Sequence, residues 1–125
     1  MIKIGIDSVE IERFIPWMAY SQKKLLRIFT DEELSYSFAV PQKTAERLAV
    51  RFAAKEAFYK ALTPLLPQPA PFLFLAKHCS ISYSGRGEPL LKFPWESVNA
   101  IQYRAEVTLT HTRTTATALV LVSLK

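Results

Sequence analysis

The chain has 125 residues, half of them hydrophobic, with sixteen Lys and Arg against eleven Asp and Glu. That length suits one domain spanning residues 1–125, able to bury a core without staples. A single cysteine, Cys79, excludes an internal disulfide and fits a reducing, cytoplasmic setting.

No basic leader or membrane-length apolar run is present, so no membrane partner is expected. The net charge of +5 favours an anionic partner: nucleotide, nucleic acid or acidic protein. No zinc-ligand spacing or RNA-binding signature occurs, which argues against nucleic acid.

In chain order, "IKIGID" reads as a short strand ending at Asp7. "SVEIERFIPWMAYSQKKLLRIF" reads as mostly helical, interrupted near Pro16. "TDEE" from Thr30 is a helix start, a hydroxyl at the cap followed by carboxylates at the positive helix end. A long helix runs from after Pro41 to about Leu62 and is stopped by Thr63 and Pro64. "SISYS", "GRGE" and "PLLKF" form a hairpin, and "PWESVNAIQYR" a short helix. "AEVTLTHT" and "TATALVLVSL" are the strongest strands. The fold class is α+β, with an antiparallel sheet around a long central helix, because "HTRTTA" is too short for a parallel crossover.

The central helix raises the functional question, since "RFAAKEAFYK" places Lys55, Glu56 and Lys60 on a nearly apolar cylinder. Glu56 and Lys60 share a face and can pair, and Arg47, Arg51 and Lys55 form a stripe that could be a solvated face. A narrow charged arc between buried faces also suits a helix that lines a cleft. Asp7 reads either as a helix cap or as a ligand for a hard cation, which takes one or two carboxylates plus water and phosphate. His111 stands among Thr108, Thr110, Thr112 and Arg113, a setting suited to phosphate, whereas His78 reads as structural. Arg13, Lys23, Lys24 and Arg27 make the first helical region basic, either for solvation or for docking an acidic protein.

Taken together, "GIDSVEIERF", "RIFTDEEL", "RLAVRFAAKEAFYKAL" and "VTLTHTRTTATALVLV" resemble, in order and spacing, the holo-[acyl-carrier-protein] synthases, the small 4′-phosphopantetheinyl transferases. The resemblance runs from about Ile4 to Val122. It implies transfer of phosphopantetheine from coenzyme A to a serine of apo-acyl carrier protein, a step serving fatty acid biosynthesis, with adenosine 3′,5′-bisphosphate released. It further implies Mg²⁺ held by Asp7 and Glu56, Lys60 facing the phosphates, and His111 on the coenzyme. Arg51 and Lys60 would neutralise the bisphosphate side. The base for the serine could be Asp7, Glu56 or metal-bound water. The resemblance also implies a homotrimer with each site at a protomer boundary, and a carrier protein docked on Arg13, Lys23 and Arg27.

Two departures stand out. Thr63-Pro64-Leu65 replaces the family's glycine-rich "GTG" after the helix, and Val50 replaces a glycine before "RFAAKEA". Proline donates no N–H, so the coenzyme contacts of this loop should differ. Two other readings of the chain are a non-catalytic coenzyme A or carrier-protein binding module and a small basic nucleic-acid-binding protein.

Overall fold

The computed structural model describes residues 1–125. Its frame is an antiparallel sheet of β1 (Ile2–Glu10), β5 (Thr115–Leu124) and β4 (Tyr103–His111), with β5 in the middle. Register is continuous: Gly5 faces Val120, Asp7 faces Ala118, and Leu109 faces Ala118 from the other side. One face of the sheet packs on α3 (Thr44–Leu62), a helix of 19 residues. Along β5 the alternation is strict, with Ala116, Ala118, Val120 and Val122 fully buried.

Small residues decide how close helix and sheet come. Ala53, Ala57 and Ala61 recur every fourth position on α3 and are fully buried. Against them lies Gly5, where an added Cβ would sit 1.9 Å from the Ala57 carbonyl oxygen and 3.0 Å from the Ala61 nitrogen. Only glycine permits that approach.

The "TDEE" start opens α2 (Asp31–Phe38) with a complete capping box. The Thr30 side chain accepts from the Glu33 N–H, and Glu33 accepts from the Thr30 N–H. Glu33 does more than cap. Its carboxylate is fully buried, accepts the Ile81 N–H at 2.9 Å and pairs with Lys55 Nζ at 2.8 Å. Lys55 also donates to the Ala76 carbonyl at 2.8 Å and to the Cys79 carbonyl. All three ammonium protons are thereby used, and α2, α3, α4 (Phe72–His78) and β2 (Ser80–Tyr83) are tied at one buried point. Lys55 is therefore no part of a solvated stripe. Cys79 lies wholly in the core, and burial pushes its thiol up to about 12.

Three segments differ from the sequence expectation. β1 runs three residues beyond Asp7, because Ser8, Val9 and Glu10 keep pairing with Thr117, Ala116 and Thr115. Asp7 thus sits within a strand and caps no helix. The following stretch is not one helix but two 3₁₀ turns, Ile11–Phe14 and Pro16–Ala19, then α1 (Gln22–Leu25), only four residues long. Phe14 and Trp17 bury their rings against Phe29 and Phe52, and this packing replaces helical regularity. The apolar run after the proline-rich loop forms α4, whose Leu75 and Ala76 are buried. The expected hairpin is present as β2 and β3 (Pro89–Lys92), and "PWES" contributes a single 3₁₀ turn, Trp95–Val98.

The other face of the sheet is bare. Ile2, Ile4 and Ile6 are each more than half exposed and stand beside Leu119 and Leu121 of β5. No helix of the chain is long and apolar enough to cross a membrane.

Candidate active site

Asp7 shares the helix-facing side of β1 with Gly5 and Val9, so the close contact at Gly5 carries Asp7 to the flank of α3. There Lys60 Nζ donates to Asp7 Oδ1 at 3.0 Å and to the Ile6 carbonyl at 3.1 Å. Lys60 therefore pairs across to the strand and not along the helix to Glu56. Glu56 sits one turn before Lys60 on the same face, half-buried. Its carboxyl is held above the ordinary carboxylate range, first by burial and second by the charge of Asp7, with Lys60 and then Arg13 pulling the other way. Arg13, exposed on the first 3₁₀ turn, lies with its guanidinium 5.1 Å from the centre of the Phe52 ring. The result is two carboxylates and two cations at the edge of the sheet.

That donor set fits a hard divalent ion. No group of three or more His, Cys, Asp or Glu residues gathers anywhere in the chain. Two carboxylates leave the remaining positions to water and phosphate oxygens, the habit of Mg²⁺ rather than of a structural zinc. A cation between Asp7 and Glu56 would also relieve the repulsion that raises Glu56.

Arg51 and His111 lie elsewhere, in a cleft of about 290 Å³ between the end of α2, the β2–β3 hairpin, α3 and the end of β4. His111 Nε2 is 3.1 Å from Glu46 Oε1, and Lys43 and Arg47 add positive charge. Glu56 is five positions beyond Arg51, which turns them roughly 140° apart around the helix. The cluster at Asp7 and the cleft at Arg51 therefore open on different sides of α3. Sequence spacing brought Arg51 into view, but Tyr36 of α2 and Tyr83 of the hairpin join it only in the folded chain.

Comparisons with known proteins show which family the chain resembles. Residues 3–119 match the 4′-phosphopantetheinyl transferase superfamily. A holo-[acyl-carrier-protein] synthase of Treponema denticola is 36% identical over 98% of both chains. The chain belongs to this family.

Among solved holo-[acyl-carrier-protein] synthases, the Helicobacter pylori protein in complex with coenzyme A superposes with a TM-score of 0.73 at 27% identity, over 96% of this chain and 99% of that one. The ACPS–CoA complex of Chronobacterium ammoniagenes has the same fold, with a TM-score of 0.81 over 100% and 98% of the two chains at 24% identity.

Within this transferase, the three basic residues expected to dock a carrier protein separate. Lys23 and Arg27 border a shallow groove with Phe29 and Lys77, whereas Arg13 stands beside Glu56. Thr63-Pro64-Leu65 continues α3 as one 3₁₀ turn, and the Thr63 hydroxyl is buried without a partner.

Proposed function

We propose that this transferase moves the 4′-phosphopantetheine group of coenzyme A onto a serine hydroxyl of an acidic acyl carrier protein, supplying fatty acid synthesis with its loaded carrier. The observation that carries the reading is the convergence of Asp7, Glu56 and Lys60 at one sheet edge. The serine oxygen attacks the phosphorus that bears pantetheine, the diphosphate P–O bond breaks, and adenosine 3′,5′-bisphosphate leaves with the electron pair. Lys60 lies where it can neutralise the charge that builds on the phosphoryl oxygens. The serine proton passes to a carboxylate of the pair or to water held by it. Mg²⁺, held by Asp7 and Glu56, would polarise the diphosphate.

The cleft at Arg51 and His111 takes the phosphate-bearing nucleotide end of coenzyme A. It lies around α3 from Asp7, so we place the completed site between copies, the cleft of one protomer facing the carboxylates of the next. The bare stripe of Ile2, Ile4 and Ile6 beside Leu119 and Leu121 supports such an assembly, a homotrimer. The acidic carrier protein docks along Lys23 and Arg27, with Arg13 nearest the reacting serine.

Intact-mass spectrometry of an apo-acyl carrier protein incubated with this protein, coenzyme A and Mg²⁺ tests the reading. A gain of one phosphopantetheine, abolished by EDTA, is expected. A folded protein that binds coenzyme A and transfers nothing would instead be a binding module on the same fold.

A further inference from the structure

Arg51 is the largest side chain that the fold buries completely, at 1% exposure, and no carboxylate pairs with it. Of its five N–H donors, one reaches the Arg47 carbonyl at 3.2 Å, and Nε has no partner at all. A buried charge left in that state is costly unless something else compensates it. Two tyrosine rings do so in part. The guanidinium carbon lies 4.6 Å from the centre of Tyr36 and 5.5 Å from that of Tyr83, and the two rings touch each other at 5.7 Å. Arg47 also meets the Tyr36 ring, its guanidinium carbon 3.9 Å from the ring centre, and its Nη1 donates to the Tyr36 carbonyl at 2.7 Å.

We infer that Tyr36 and Tyr83 are positioning residues that hold Arg51 as a preformed receptor for a phosphate group. A guanidinium faced by aromatic rings keeps its charge and loses its freedom to swing. The donors left unused then await an anion, and the same cleft is lined by Lys43 and Arg47. This rests on reading the cleft as the seat of the coenzyme's nucleotide end. The phosphate to be read is the 3′-phosphate. It belongs to the leaving bisphosphate and not to the reacting diphosphate, which must reach Asp7 and Glu56.

The test compares Tyr36→Leu, Tyr36→Phe and wild type, each with coenzyme A and with 3′-dephospho-coenzyme A. Binding of adenosine 3′,5′-bisphosphate is followed by calorimetry. Tyr36→Leu should raise KM for coenzyme A by roughly five- to tenfold, with a much smaller change in kcat. Tyr36→Phe, which keeps the ring, should restore wild-type KM. With dephospho-coenzyme A the variants should differ little. Equal KM increases for both coenzymes, or no increase for either, would overturn the assignment. Should Tyr36→Leu fail to fold, Tyr83→Leu, on the 40%-exposed tyrosine at the end of β2, carries the same expectations. If wild type binds neither coenzyme A nor the bisphosphate, the nucleotide reading of the cleft fails and this inference with it. If wild type binds both and the tyrosine variants behave as wild type, the inference alone is overturned.

Discussion

Gly5 of β1 lies so close to Ala57 of α3 that a methyl group on Gly5 would overlap the Ala57 carbonyl oxygen, 1.9 Å away. Gly5 precedes Asp7 by two residues on the same strand face, and Ala57 follows Glu56. The contact that lets strand and helix touch is thus the contact that sets the two carboxylates side by side.

Gly5→Ala should therefore separate β1 from α3 and spread the carboxylates. A destabilisation of about 1–3 kcal/mol or more is expected from overpacking. The folded fraction should lose transfer activity well beyond what the loss of stability explains. Denaturant unfolding and single-turnover assays on the same preparation measure both, and an active, stable Gly5→Ala protein would refute this link.

Two lysines on α3 should behave in opposite ways. Lys55 has no exposed surface and pairs with an equally buried Glu33, so Lys55→Met strands a carboxylate and should cost about 3–5 kcal/mol in urea unfolding. The Lys60 side chain is 51% exposed, and its pair with Asp7 should contribute less than about 1 kcal/mol. Lys60→Ala should thus fold almost normally while losing most transfer activity. Comparable stability losses in the two variants would contradict the assignment of one to the core and the other to the site.

Glu56 supplies a pH prediction. Its carboxyl is raised in the fold, so the native state holds that proton to higher pH than the unfolded chain does. By linkage, its contribution favours folding below the ordinary carboxylate range and is lost as pH rises through the native value. Without divalent metal, Glu56→Gln should match or exceed wild-type stability at pH 7, and the difference should shrink at acidic pH. Mg²⁺ should raise the melting temperature of wild type but not of the variant, which should also be inactive. Urea unfolding at several pH values, with and without Mg²⁺, provides the check.

Separate docking roles follow from where the basic residues sit. Lys23→Glu combined with Arg27→Glu should raise KM for the carrier protein at least about tenfold and leave KM for coenzyme A nearly unchanged. Arg13→Ala, beside Glu56, should lower kcat as well. Equal losses toward both substrates in the Lys23/Arg27 variant would remove the docking assignment.

Much of this was legible in the sequence because it rests on local chemistry. The capping residues around Thr30, the α3 pattern and the alternation of β5 all declare themselves within a few positions. The stretch after Asp7 does not, since Ser8 to Glu10 are held in β1 by partners more than a hundred residues away. Lys55 looked like surface because its partner Glu33 and the carbonyls of Ala76 and Cys79 belong to other elements. Seven residues without a clear apolar period could not declare α4. Asp7, Glu56 and Lys60 came into view as charged residues in unusual places and were joined only by motif resemblance, and their meeting depends on a glycine whose role appears only when strand and helix are packed. Tyr36 and Tyr83 left no sequence signal, because they reach their common neighbour Arg51 from two other elements.

The central claim is that the carboxylate cluster and the Arg51 cleft, on different sides of α3, make one site between copies, and a complementation experiment tests it most directly. Glu56→Gln and Arg51→Ala proteins, each inactive alone, are co-expressed, and mixed oligomers are isolated and verified by native mass spectrometry. In each mixed trimer one boundary of the three pairs an intact carboxylate cluster with an intact cleft, so recovery of up to roughly a third of wild-type activity is expected. Verified mixed oligomers with no activity, or a wild-type protein that is active as a monomer, would contradict it.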